Sequence, residues 1–172
     1  PKLWTPENPH LYPVIVRNCD DAVETYFALR TIGTKVIDGV PRLCLNGKPY
    51  FFHGLLDQGY WPDGLFLPGS PEGYTWDIET MKRLGFNTIR KHIKIEPERF
   101  YYDCDRLGML VFQDLVNSGE YHYLRDTAIP TIGGRHVTYH EAPSERRRNF
   151  FLTHGEQTLV HLHNHPCIVL YT

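Results

Sequence analysis

The chain has 172 residues, 41% hydrophobic and 13% aromatic, with a formal net charge of −2 at pH 7. That length is enough for one ordinary domain with a sizeable core. The near-balance of charge argues against a nucleic-acid or anionic-membrane surface, and no run nears the ~18 apolar residues of a membrane span.

The first thirty-odd residues read as β. Leu11 to Arg17 and Asp20 to Arg30 are rich in Val, Ile, Tyr, Phe and Thr, with Val23, Thr25, Phe27 and Leu29 on one face. A hairpin follows over Arg42 to Tyr50, where Asn46-Gly47 supplies the positive-φ pair of a tight turn. From Tyr50 the pattern alternates between β and α. Tyr50 to Gly54 is a strand candidate. Thr75 to Leu84 is a helix candidate with Ile78, Met81 and Leu84 on one side and Gly85 as its stop. Phe86 to Arg90 is the next strand. Pro97 opens a second helix, with Glu98 and Arg106 matched to its dipole and Phe100, Cys104 and Leu107 as its buried stripe. Met109 to Asp114 is the third strand. Ser144 caps a third helix running to about His163, and Pro166 bars its continuation. Cys167 to Tyr171 is a fourth apolar strand.

Continuously apolar strands alternating with helices indicate an α/β fold with a parallel sheet covered on both faces. In such folds the site lies at the carboxyl ends of the strands. The candidate residues are therefore Asp57 and Gln58, Arg90 and His92, and Asp114 and Asn117. Two long loops leave the same end: Leu55 to Tyr74, with Tyr60, Trp61 and Phe66, and Leu115 to Pro143, with Tyr121, Tyr123 and Tyr139. Loops of that length are usually functional, and Trp61 joins the candidates from the first of them. Aromatic richness with little net charge suits neutral, ring-shaped ligands.

The ordered motifs Asn8-Pro9-His10-Leu11-Tyr12, Tyr26-Phe27-Ala28-Leu29-Arg30, Leu45-Asn46-Gly47-Lys48-Pro49, Gly85-Phe86-Asn87-Thr88-Ile89-Arg90, Tyr102 to Gly108 and Asn164 to Val169 resemble glycoside hydrolase family 2. That family includes β-galactosidases, β-glucuronidases and β-mannosidases. The resemblance spans essentially the whole chain. It implies that residues 1–34 are the last strands of an immunoglobulin-like β-sandwich. Residues 35–172 would then be the first half, about four βα units, of a (β/α)8 TIM barrel. It also implies retaining hydrolysis of β-linked sugars by two glutamates about 5–5.5 Å apart. Both are expected beyond Thr172, the acid/base after an Asn just past the fourth strand and the nucleophile past the seventh. No catalytic residue is expected within the chain. By the same resemblance Arg90 lies beside the nucleophile and keeps it ionised. The chain departs from the family where Lys91-His92-Ile93-Lys94 follows that arginine and where Gln113-Asp114 ends the third strand.

Other readings are a non-catalytic carbohydrate-binding protein, using the first aromatic loop, and a metal-dependent hydrolase. The second rests on His161, His163 and His165, which fall at a helix end away from the expected site. Cys19, Cys44, Cys104 and Cys167 show no CxxC and read as reduced, mostly buried thiols. Arg146-Arg147-Arg148 reads as a solvated helix face. Neither a metal nor a cofactor is called for. The opening Pro1-Lys2-Leu3-Trp4 reads as the middle of a structure; no targeting segment is visible and the compartment stays open. Half a barrel would leave unpaired edges on its first and fourth strands, and Phe52, Ile89, Phe112 and Val169 without an opposite wall. Self-association of the chain, a homo-oligomer built through those edges, is the expectation.

Overall fold

A computed structural model describes residues 1–116, 123, 124, 128 and 144–172. Strands β1 (Tyr12–Asn18) and β2 (Asp21–Phe27) pair antiparallel, with Tyr12 opposite Phe27. A second antiparallel sheet contains β3 (Ile32–Ile37), β4 (Val40–Leu45) and β5 (Lys48–Pro49). Its second turn is the expected Asn46-Gly47, at φ 52° and 75°. Its first turn, Asp38-Gly39 at φ 52° and 77°, uses the same chemistry and pairs β3 with β4, a hairpin the sequence reading omits.

The remaining elements alternate: β6 (Gly54–Asp57), α1 (Glu72–Arg83), β7 (Thr88–Lys91), α2 (Glu98–Leu107), β8 (Leu110–Gln113), α3 (Glu145–Leu162) and β9 (Ile168–Tyr171). The four strands form one parallel sheet in chain order. The caps agree with their residues. Ser144 accepts a hydrogen bond from the Arg147 N–H at 3.4 Å, and Gly108 closes α2 at φ 77°. No helix among the described residues is long and apolar enough to cross a membrane.

Three local expectations are corrected. The first parallel strand starts at Gly54 rather than ending there. Tyr50 and Phe52 are apolar because they pack, in ring contacts of 5.3 Å with each other and of Phe52 with Phe112. Leu84 is 69% exposed: the buried stripe of α1 is Tyr74 and Ile78 with Met81 partly covered, and the helix ends before Leu84 can join it. Ile89 does not face the side shared by Phe52 and Phe112. Register sets Ile89 beside Val111, both fully buried among the helices, whereas Arg90 sits beside Phe112. Val169 falls at the register shift in β9 and is buried in the same core.

That core lies between sheet and helices, with Ile78, Phe100, Tyr101, Cys104, Met109 and Leu162 at its centre. The leading segment is tied to its base. Trp4 is fully buried and its indole N–H donates to the Asp105 carbonyl at 2.8 Å. Lys82 Nζ donates to the Pro6 and Gly108 carbonyls, each at 2.8 Å. Asp105, without exposure, accepts from the Tyr26 hydroxyl at 2.7 Å and the Cys167 N–H at 2.8 Å. Arg30 Nε donates to the Pro166 carbonyl at 2.8 Å. The leading β segment is therefore fixed to the amino-terminal end of the parallel sheet, leaving the carboxyl end for other uses. All four cysteines are free; Cys19 is exposed and the others are buried.

Candidate functional site

Alternation along β7 sends Arg90 and Lys91 to opposite faces at the carboxyl end of the sheet. On the open face, parallel register aligns Leu56, Arg90, Phe112 and Leu170. Arg90 grips Asp114 with both arms of its fork, Nε to Oδ1 and Nη2 to Oδ2 at 3.0 Å each. Thr172 Oγ1 donates to the same carboxylate. Burial would raise the Asp114 carboxyl. Hydrogen bonds from Arg90, Thr172 and the Ile93 backbone, with the Arg90 charge, outweigh that and hold it below the usual carboxylate range. The Asp114 side chain is 5% exposed and that of Arg90 49% exposed, so a fixed cation faces the open side of the sheet.

On the helix side the same strand end carries a buried charge network. Lys91, 1% exposed, lies 2.5 Å from Asp57 Oδ2 and 2.8 Å from Glu96 Oε1. Lys94 reaches Glu96 at 2.9 Å. Glu96 Oε2 accepts from the Tyr74 hydroxyl at 3.2 Å, and the Glu96 N–H donates to the Tyr101 oxygen at 3.2 Å. Tyr101 donates to Gln113 Oε1 at 2.7 Å, and Gln113 Nε2 donates to the Lys94 carbonyl at 2.8 Å. Burial and the Glu96 charge push the Tyr74 hydroxyl far up, so it stays a donor. The network ties the ends of β6, β7 and β8 to the loops that follow them.

The five predicted residues that fall among the described residues sit at one end of the sheet but in separate surroundings. Arg90 and Asp114 meet directly. Asp57 joins the buried network and accepts from the Gly59 N–H at 2.7 Å. His92 is half-buried, its Nδ1 2.9 Å from the Gln58 amide nitrogen. Trp61 packs edge-on against Tyr74, ring centroids 5.8 Å apart, and its buried indole N–H has no partner among the described residues. Asn117 lies outside the described residues, as do Tyr121 and Tyr139.

No family model matches the sequence. The β-galactosidase of Pseudoalteromonas haloplanktis is 28% identical over 157 residues, covering 87% of this chain and 15% of that protein. The solved β-glucuronidase of Bacteroides uniformis superposes at a TM-score of 0.70 with 26% identity, over 99% of this chain and 18% of that one. The solved GH2 β-galacturonidase of Eisenbergiella tayi superposes at 0.74 with 19% identity, over 99% of this chain and 27% of that one. The chain resembles the glycosidases of glycoside hydrolase family 2 along nearly its whole length.

The chain spans under a third of the length of each of these relatives. Lys91, Lys94, Glu96, Gln113 and Thr172 also gather at this end of the sheet, and sequence reasoning passed over them. One signal for Lys91 was available: a lysine closing an otherwise apolar strand needs a buried acid on the face opposite Arg90. The histidines of the metal reading go elsewhere. His165 Nδ1 lies 2.7 Å from Asp105 Oδ2 and His161 Nε2 lies 3.6 Å from Glu98 Oε1. Among the described residues no three His, Cys, Asp or Glu side chains group as metal ligands.

Proposed function

We propose that this chain supplies part of the sugar cleft of a retaining β-glycoside hydrolase. Residues 1–34 would close an immunoglobulin-like sandwich, and residues 35–172 would form the first four βα units of a (β/α)8 barrel. The observation that carries the reading is the Arg90–Asp114 pair, aimed into the open face at the carboxyl ends of four parallel strands. In a barrel that face is the interior, where substrate meets the strand ends. Retaining chemistry needs one carboxylate to attack the anomeric carbon while a second protonates the leaving oxygen. Those two glutamates lie outside this chain. Arg90 contributes a fixed positive charge that keeps a facing carboxylate ionised, and Asp114 and Thr172 hold its guanidinium in place. His92, held by Gln58, extends the wall of that cleft, while Asp57 and Trp61 support it from the helix side.

The test is a panel of nitrophenyl β-galactoside, β-glucuronide, β-glucoside and β-mannoside. The intact protein carrying this sequence is expected to turn over at least one, and residues 1–172 alone none. Failure of the intact protein on every β-glycoside would reject the reading. Turnover by residues 1–172 that disappears on Asp114→Ala would place the chemistry inside the chain instead.

Self-association of residues 1–172 follows from the same reading. Among the described residues β6 and β9 are each paired on one side only, and Leu56, Phe150 and Val160 are 50%, 63% and 74% exposed. Light scattering is expected to show a species of at least twice the chain mass, with a urea midpoint that rises with concentration. A monomer with a concentration-independent midpoint would count against it.

A further inference from the structure

The loop between β6 and α1 carries an exposed apolar cluster, with Tyr60 67%, Leu65 71% and Phe66 60% exposed. It is fixed at both arms. Trp61 and Leu65 exchange backbone hydrogen bonds of 2.8 and 2.9 Å across the loop. Lys94 Nζ donates to the Gly59 carbonyl at 2.7 Å on one arm and to the Phe66 carbonyl on the other. The same ammonium lies 6.0 Å from the centre of the Phe66 ring. Gly59 has φ +66°, and a Cβ there would come within 2.2 Å of Glu96 Oε1, so the chain crosses the charge network where only glycine fits. The Tyr60 and Phe66 rings stand 5.6 Å apart.

Burying Lys91 and Glu96 does little for stability by itself, because desolvation offsets their attraction. The network does hold still a pair of exposed rings at the substrate end of the sheet. Rings held in advance lose little freedom when a ligand settles on them. Because Glu96 balances the charge of Lys94, the surface offered is close to neutral, which suits the C–H face of a sugar ring. The loop roots beside the open face, where Gln58 touches His92, yet it lies on the helix side of the rim.

We propose that Tyr60 and Phe66 form a stacking platform for the sugar ring on the leaving-group side of the substrate. Lys94 is the positioning residue that fixes this platform. The assignment rests on the glycosidase reading and deepens it.

The test compares, in the intact protein, kcat/KM for lactose, cellobiose and β-1,4-mannobiose with kcat/KM for the matching methyl glycosides. Tyr60→Ala/Phe66→Ala is expected to lower the disaccharide-to-methyl ratio about tenfold, chiefly through KM. Lys94→Met should do the same, and Lys94→Arg, which keeps the charge and donors, should restore the ratio. An unchanged ratio in both variants overturns the platform, as does loss of self-association with unchanged sugar kinetics, which would assign the rings to a protein contact. If no glycoside is turned over, the glycosidase reading has failed, and calorimetric titration with the three disaccharides decides separately. A Kd weakened about tenfold by Tyr60→Ala/Phe66→Ala sustains the platform, whereas equal binding or none overturns it.

Discussion

Glu96→Ala is expected to destabilise the fold by about 3 kcal/mol, seen as a lower urea midpoint at unchanged m-value. Glu96 has no solvent exposure and is shared by Lys91 and Lys94, at 2.8 and 2.9 Å. Its loss leaves the 1%-exposed Lys91 with Asp57 alone and leaves Tyr74 without its acceptor. Lys91→Met/Glu96→Met should recover most of the loss. The remaining charges, Asp57 and Lys94, are 21% and 16% exposed and can reach water. Such non-additivity is the signature of a buried pair. A single variant that loses under about 1 kcal/mol would mean that the network is hydrated and its ions are not desolvated.

Arg90→Ala is expected to lower kcat/KM of the intact protein by about 10²-fold, the usual consequence of removing one fixed electrostatic contact from an active site. Arg90→Lys should fall between, because an ammonium cannot match both Asp114 oxygens as the fork does. The change should also appear at Asp114. Burial stays while its largest lowering partner leaves, so its carboxyl pKa should rise, measurable by NMR titration. The sign for stability follows. A carboxyl held below its unfolded value of 3.8 contributes stability above that pH and loses it as pH falls through the folded value. In Arg90→Ala that acid loss should begin at higher pH. Full activity in Arg90→Ala, or an unmoved Asp114 titration, would remove Arg90 from the site.

Much of the architecture was legible because its signals are local. The α1, α2 and α3 ends are written in Gly85, in Pro97 and Gly108, and in Ser144; the Asn46-Gly47 hairpin is written in two residues. The omitted β3 carried an equally local sign in Asp38-Gly39. The displaced first strand was a different kind of error. Tyr50 to His53 is apolar and short, and nothing in its own composition separates a strand from a packed aromatic connector.

The site divides in the same way. Sequence alone led to the carboxyl ends of the strands and to Arg90 and Asp114, because alternating β and α segments determine which ends gather the loops. It could not pair those two residues, since Asp114 is reached only when β8 settles beside β7 in the register that sets Arg90 next to Phe112. Nor could it separate Arg90 from Lys91. Two adjacent cations in one strand look alike until a neighbouring strand and a helix define a covered and an open face. Only the tertiary structure made Lys91 a buried partner of Asp57 and Glu96 and left Arg90 half exposed above the open sheet, because burial belongs to the packing of segments distant in the chain.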